Sequence, residues 1–292
     1  MVNTSDLRWL VKCALAAASA LLLCAVVKPW LPMVPLAPTA KDNLLIALNR
    51  YQRGPTPDLV LLGSSLTARI REEHFATLRV RNLGIPGGSP LTGLRMILLN
   101  PQRLPKIILV ETNLLSNVAD ETLVEKVSAS GQDVFFRPTR MAVAAYENWR
   151  HAPADQTYSN ADANRLLREP PREYNNQVYL DRLVKSYDQD ATALLQSNVD
   201  QLAQLVSTAR GLGTRVLLFE FPYPDQLDQT RVAQDTRRIA LSRFGDPHDW
   251  IHLTIAKGEL RWPDGAHFDE RSAAMTARAI EQAISQPAEF SP

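Results

Sequence analysis

Short, uninterrupted apolar runs recur along the chain. The runs DLVLLG (58–63), KIILVE (106–111) and RVLLFE (215–220) each place consecutive apolar residues between polar or small ones. Runs of this length are typical of strands that are buried on both faces of a parallel sheet. A shorter run, VRNLGIPGG (80–88), predicts a strand that ends in a glycine-rich loop, and DWIHLTI (249–255) predicts a last strand.

Amphipathic stretches with helical spacing separate these runs. Strands that alternate with helices indicate an α/β fold, in which helices cover both faces of a parallel sheet. Residues 114–190 break the alternation, so we interpret them as an insertion packed over the carboxyl edge of the sheet. The predicted helices cover the segments 66–75, 91–99, 191–213, 226–243 and 269–285.

The N-terminal region carries a long apolar run, CALAAASALLLCAVV (13–27). Trp9 and Trp30 bracket this run and would lie about 31 Å apart along a helix, close to the thickness of the hydrocarbon core of a bilayer. Aromatic residues at both ends of an apolar helix are typical of a membrane span. We therefore predict a transmembrane signal anchor over 9–30. A cleaved signal peptide and a buried core helix stay open as alternatives.

This anchor divides the chain into regions. A short tail (1–8) is expected in the cytoplasm, because Arg8 and Lys12 precede the apolar run and basic residues flank membrane spans on that side. A proline-rich linker and a short helix (31–56) follow the anchor. The remaining residues (57–290) are then predicted to form one domain outside the cytoplasm.

Charge and cysteine content narrow the function classes. Lys and Arg total 32 and Asp and Glu total 31, which gives a formal net charge of +1. Such a balance argues against a protein that binds nucleic acid through a strong basic field. Both cysteines, Cys13 and Cys24, lie in the predicted anchor, so the rest of the chain has no thiolate zinc site. We expect neither a metal nor a cofactor.

Polar residues with catalytic potential stand at the predicted strand ends. In an open parallel sheet, ligands bind outside the carboxyl ends of the strands. Ser64 and Ser65 follow the first strand, and Asp264 and His267 precede the last helix. His267 could serve as the base that activates a serine, and Asp264 could orient it if a helical turn places the two on one side.

A serine nucleophile also needs donors for the oxyanion that forms during acyl transfer. The backbone N–H groups of Ser65 and Gly84 and the side-chain amide of Asn113 are candidates, because all follow predicted strands. Glycine at position 84 also lets the backbone approach closely.

The segments GSSLT, NLGIPGG, ETN and DGAH, in this order, resemble the four blocks of the SGNH (GDSL-type) hydrolase superfamily. The resemblance implies a flavodoxin-like three-layer α/β sandwich and acyl-ester chemistry. It assigns Ser65 as nucleophile, Asp264 and His267 as its triad partners, and Gly84 and Asn113 as oxyanion-hole residues.

The chain departs from these blocks at two positions. Ser64 stands where the family has aspartate, and Glu111 begins the block that the family opens with glycine. Asn117 is the alternative to Asn113, and the choice of Ser65 over Ser64 depends on aligning Gly63 with the glycine of the family.

An anchored SGNH domain is similar to periplasmic proteins that work with membrane-bound O-acyltransferases. The resemblance implies a single-pass protein of the bacterial inner membrane that transfers acetyl or another acyl group to an exported polysaccharide through an acyl-Ser65 intermediate. The expected partners are the polysaccharide acceptor and a membrane-bound O-acyltransferase as acyl donor. A carbohydrate or lipid esterase and a non-catalytic scaffold of a polysaccharide export complex are the alternatives.

Overall fold

In the computed structural model the chain divides into two compact units, Met1–Ile46 with Phe135–Pro153 and Ala47–Val134 with Ala154–Pro292. The structure describes residues 4–27, 43–129 and 156–285. The end of the predicted anchor, most of the predicted linker and the middle of the predicted insertion (130–155) lie outside the described residues.

The second unit contains a parallel sheet. The strands follow the order β2-β1-β3-β4, and every neighbouring pair is parallel. This arrangement confirms the predicted α/β class with a parallel sheet. The strands are β1 (Leu59–Leu62), β2 (Val80–Asn82), β3 (Ile107–Glu111) and β4 (Arg215–Phe219).

The last predicted strand, over 249–255, forms only a single bridge. Trp250 pairs with Leu218 of β4, and the N–H of Ile251 donates to the Leu218 carbonyl at 2.9 Å. Beyond this point the N–H of Ile255 donates back to the carbonyl of Leu253, so the backbone turns away from the sheet. A local turn therefore competes with pairing, and the strand prediction was wrong for most of this segment.

The described residues form helices as well as strands. Short 3₁₀ helices cover Glu72–His74, Pro101–Arg103, Pro247–Asp249 and Lys257–Glu259. The α-helices are α1 (Thr4–Val27), α2 (Asn43–Arg53), α3 (Ser65–Ala68), α4 (Pro90–Leu98), α5 (Glu121–Ala129), α6 (Gln156–Arg168), α7 (Gln177–Tyr187), α8 (Thr192–Gly211), α9 (Asp225–Asp228), α10 (Arg231–Arg243) and α11 (Glu270–Ser285).

The two faces of β1 contact different helices. Leu61 belongs to a buried cluster that includes Ala277 and Ile280 of α11. Leu62 points the other way and lies against Gly93 of α4, where a Cβ atom would come within 2.9 Å of its Cδ2 atom. Because successive strand residues face opposite sides of a sheet, helices cover both faces. This arrangement is consistent with a three-layer sandwich.

The helix predicted over 66–75 is interrupted. It splits into α3 and the 3₁₀ helix Glu72–His74. The side-chain amide of Asn82, at the end of β2, donates to the carbonyls of Thr67 and Ile70 at 2.6 and 2.5 Å. These bonds satisfy carbonyls that a continuing helix would pair, which is a physical reason for the interruption.

The N-terminal apolar segment is helical over α1. Within the described ranges, none of the helices combines the length and the apolar composition needed to cross a bilayer. The membrane anchor over 9–30 therefore stays a prediction from the sequence.

Candidate active site

The turn after β1 carries the candidate nucleophile. Gly63 and Ser64 lead directly from β1 into α3, whose first residue is Ser65. The Ser64 hydroxyl caps this helix by accepting the N–H of Leu66 at 3.1 Å. The cap leaves Ser65 at the helix N-terminus, with a side chain that is only half-buried.

Ser65, His267 and Asp264 form a continuous chain of hydrogen-bond contacts. The Ser65 Oγ atom lies 2.7 Å from Nε2 of His267, and the other ring nitrogen, Nδ1, lies 2.8 Å from Oδ2 of Asp264. The structure thus brings together the three predicted triad residues, although 202 positions separate Ser65 from His267. The geometry is the one that a serine, a general base and an orienting carboxylate require.

A compact turn, rather than the expected helical turn, joins Asp264 to His267. Oδ1 of Asp264 accepts the backbone N–H groups of Ala266 and His267 at 3.2 and 2.9 Å. Gly265 has a φ of 88°, which side chains disfavour, and a Cβ atom there would approach the Leu180 Cα atom to 2.9 Å. Glycine therefore allows Asp264 to reach both backbone and imidazole.

Asp264 is held in its charged form. Partial burial opposes ionisation, but the side-chain and backbone hydrogen bonds from His267 outweigh it, so the pKa of Asp264 lies well below its ordinary value. A charged carboxylate can hold the Nδ1–H tautomer of His267, which leaves Nε2 free to accept the proton of Ser65.

Ser64 and Ser65 have different surroundings, which bears on the choice between them. Ser64 is fully buried, and its Oγ atom lies 2.7 Å from Oε1 of Glu111. Ser65 is the serine that contacts His267. Glu111 is itself fully buried, and this desolvation raises its pKa despite the hydrogen bonds that it accepts from Ser64 and Thr67. The sequence marked Glu111 only as a strand-end residue that departs from the SGNH blocks, and its contact with Ser64 was not predicted.

Of the predicted oxyanion donors, the N–H of Ser65 has no acceptor among the described residues. The other predicted donors are engaged elsewhere. The N–H of Gly84 donates to the side chain of Asn82 at 2.8 Å. The Asn113 amide donates to the carbonyl of Phe221 at 2.9 Å and accepts the Phe221 N–H at 2.7 Å.

In this structure Gly84 and Asn113 make contacts that the sequence did not predict. Asn113 is buried and ties the end of β3 to the chain after β4, a structural role that the resemblance did not suggest. Asn117, the alternative, donates to the carbonyl of Gly88 at 2.9 Å. Gly84 packs closely, since a Cβ atom would lie 2.5 Å from the backbone nitrogen of Ala68.

A cleft of about 300 Å³ opens beside Ser65 and His267. Helix α7, from the predicted insertion, contributes Tyr179, Arg182 and Tyr187 to its wall. Arg182 is exposed and makes no ion pair or hydrogen bond with the described residues. The sequence held a signal for this wall, because Arg182 and Tyr187 follow Tyr179 by three and eight positions, and such spacings lie on one side of a helix.

No group of three or more His, Cys, Asp or Glu residues in the described parts of the chain could hold a metal ion.

Comparison of the chain with protein-family models and with curated proteins finds no match. The likeness to the SGNH superfamily thus depends on the four sequence blocks.

Proposed function

We propose that the protein transfers an acyl group to a polysaccharide hydroxyl through an ester on Ser65. The observation that carries the proposal is the contact chain from Ser65 Oγ to His267 Nε2 at 2.7 Å and from His267 Nδ1 to Asp264 Oδ2 at 2.8 Å. A serine with a base and an orienting carboxylate in this order is suited to covalent acyl transfer. The fold proposed for this chemistry is the flavodoxin-like SGNH sandwich.

The first half of the reaction forms the acyl-enzyme. The Ser65 oxygen attacks the acyl carbon of a donor ester while Nε2 of His267 takes the hydroxyl proton. The donor carbonyl becomes a tetrahedral oxyanion, which the N–H of Ser65 can stabilise. The bond to the leaving alkoxide breaks, and His267 returns the proton to it. The products are acyl-Ser65 and the donor alcohol.

The second half repeats these steps with the acceptor. A sugar hydroxyl gives its proton to His267 and attacks the acyl carbon of the ester. The tetrahedral intermediate collapses, the bond to the Ser65 oxygen breaks, and the proton passes from His267 to Ser65. Asp264 stabilises the imidazolium in both halves through its contact with Nδ1.

The cleft wall supports a saccharide as acceptor. Tyr179 and Tyr187 offer aromatic surface, and Arg182 offers hydrogen-bond donors with no partner among the described residues. Burial raises the pKa of Tyr187 to about 12, which keeps its phenol neutral. The proposal also includes a membrane-bound O-acyltransferase as donor partner and a periplasmic location at the inner membrane. Both parts depend on the sequence resemblance alone.

Hydrolysis of an acyl ester is the second candidate. Its support is the exposure of the base, since the side chains of His267 and Asp264 are 26% and 41% exposed. Water can therefore approach the acyl-Ser65 ester from solvent. Product analysis separates the two candidates, because transfer yields an acylated oligosaccharide, whereas hydrolysis yields only free acid.

The test compares the wild-type protein with a Ser65→Ala variant. We expect p-nitrophenyl acetate to add one acetyl group to the wild type, seen by intact mass, and to leave the variant unmodified. Ser64→Ala is the matched control and should still gain one acetyl group, if more slowly, because its hydroxyl contacts Glu111 and not His267. Acylation of the Ser65→Ala variant at the wild-type rate would reject the proposal. Wild-type protein that resists both this ester and a fluorophosphonate would instead favour the scaffold alternative.

A further inference from the structure

The buried carboxylate of Glu111 has no part in the reaction described above, yet it contacts the turn that carries Ser65. Its side chain is fully buried at the end of β3. Oε1 lies 2.7 Å from the Ser64 hydroxyl, while Oε2 accepts the hydroxyl of Thr67 at 2.6 Å. A carboxyl group at this depth is costly to bury unless hydrogen bonds satisfy it, and here both oxygens are satisfied by the turn.

Glu111 also determines which backbone donors of the turn remain available. Its Oε2 atom accepts the N–H groups of Ser64 at 2.9 Å and of Thr67 at 3.2 Å. The N–H of Leu66 donates to the Ser64 hydroxyl. Three of the four consecutive N–H groups from 64 to 67 are therefore occupied. The fourth, of Ser65, has no acceptor among the described residues.

Close packing at Gly63 shows how tightly the carboxylate is fitted. A Cβ atom at position 63 would lie 2.4 Å from Oε2 of Glu111 and 2.0 Å from Oγ1 of Thr67. Only glycine leaves room for the carboxylate at this point. The two departures from the SGNH blocks, Ser64 and Glu111, are thus in direct contact, with a carboxylate supplied from β3 instead of from the turn itself.

We propose that Glu111 is a positioning residue: by binding the turn on both sides of Ser65, it orients the nucleophile and reserves the Ser65 N–H for the oxyanion. This inference rests on the proposed acyl transfer. It predicts that the hydrogen bonds of Glu111 matter, rather than its charge. A glutamine can accept the two N–H groups through its oxygen and donate to Ser64 through its nitrogen, whereas a leucine can do neither.

The experiment measures kcat and KM for p-nitrophenyl acetate and the rate of fluorophosphonate labelling, at a temperature well below the melting temperature of each variant. We expect Glu111→Leu to lower kcat and labelling about 100-fold with little change in KM, since small misplacements of a reacting group have effects of this size. Glu111→Gln should stay within about fivefold of wild type.

Glu281→Leu is the matched control. Glu281 is also buried, and it accepts the N–H groups of Ala76, Thr77 and Leu78, none of which belongs to the serine turn. Its loss should lower the melting temperature and leave kcat unchanged. Equal losses of kcat in the two leucine variants, or a glutamine variant as slow as the leucine variant, would overturn the inference.

Two further measurements test the inference if Glu111→Leu does not fold or if the protein is never acylated. If Glu111→Leu does not fold, Ser64→Ala should still lower kcat several-fold at unchanged KM, and an unchanged kcat would contradict the role of Glu111.

Amide exchange followed by NMR tests the inference without any enzymatic activity. The N–H groups of Ser64 and Thr67 should be protected and that of Ser65 should exchange rapidly, and the Glu111→Gln variant should keep this pattern. A wild type that is never acylated but shows the pattern would reject the proposed function alone, whereas an active wild type without the pattern would reject this inference alone.

Discussion

The two turns that meet in the site are held in opposite ways. The turn with Ser65 is fixed by a carboxylate from another strand, Glu111, which is fully buried. The turn with His267 is fixed by its own carboxylate, Asp264, whose side chain is 41% exposed. The position of the proposed nucleophile therefore depends on the folding of the sheet, while the position of the proposed base depends on a local turn. We therefore expect substitutions in the serine turn to affect both catalysis and stability, and substitutions in the histidine turn to affect mainly catalysis.

Loss of the imidazole should have the largest effect. We expect His267→Ala to lower acylation of Ser65 by at least about 10⁴-fold, because no other base contacts Ser65 among the described residues. The melting temperature should change little, because the side chain is only partly buried. Single-turnover kinetics with p-nitrophenyl acetate and a thermal melt measure the two quantities. A loss of less than tenfold would show that His267 is not the base.

Asp264→Asn should follow, with a loss of about 10³ to 10⁴-fold in kcat. An asparagine can still accept the N–H groups of Ala266 and His267 through its oxygen, which then directs its amide N–H₂ at Nδ1 of His267. That contact stabilises the wrong tautomer, so Nε2 carries a proton and cannot accept one from Ser65. The pH dependence of kcat and the circular dichroism of the variant are the measurements. A folded variant with wild-type kcat would contradict the role of Asp264.

A smaller effect is expected at the cleft wall. Arg182→Gln should raise KM for an oligosaccharide acceptor about tenfold, since a hydrogen bond from a charged group contributes roughly 1.5–3 kcal/mol. Acylation by p-nitrophenyl acetate should not change, because this small ester does not extend to the wall. Lys185→Gln, one helical turn further along α7 and outside the cleft lining, removes the same charge and serves as control. Equal effects of the two variants would indicate a general charge effect.

The smallest effect on catalysis, and a clear one on stability, is expected from His74, which follows the serine turn. Burial, with Arg71 adding to it, lowers the pKa of His74 to about 4 from 6.5. Between pH 4 and 6.5 His74 is protonated in the unfolded chain and neutral in the folded chain. The free energy of unfolding should therefore fall as the pH falls from 6.5 to about 4. The full change is roughly 3 kcal/mol.

Urea unfolding across this pH range checks the prediction for His74. The His74→Gln variant should lose most of the slope, whereas a variant at the exposed His252 should keep it. Identical slopes in the wild type and the His74→Gln variant would assign the pH dependence to other groups.

The strands were predictable because their side chains are buried on both faces. Leu59 to Leu62 and Ile108 to Val110 leave no polar face, and in a chain of alternating elements such short apolar runs indicate central strands. The place of Ser65 could also be anticipated, because parallel strands bring their carboxyl ends to one edge. Its pairing with Asp264 and His267 was predicted from the resemblance to the SGNH blocks, since these two residues follow no strand. The interruption of the helix after Ala68 could not, since it depends on an amide from β2.

The oxyanion donors show the limit of motif reasoning. Asn113 has the right residue type and the right strand end, yet its amide is taken up by the backbone of Phe221, more than a hundred positions later. Glu111 presents the reverse case, because a charged residue at a strand end is usually solvated, and only tertiary packing shows it buried. Neither the contact of Asn113 with Phe221 nor the burial of Glu111 produces a hydrophobic periodicity or a residue spacing that can be recognised in a single sequence.

The wide separation of Ser65 and His267 along the chain has a consequence for biosynthesis. A ribosome completes the hydroxyl-bearing turn early, but 202 further positions must be translated before the imidazole exists. Until the C-terminal portion emerges and docks, the nascent polypeptide has no imidazole beside Ser65. Under the proposed function, a chain that ends before His267 therefore lacks the base and should not form the acyl-Ser65 ester.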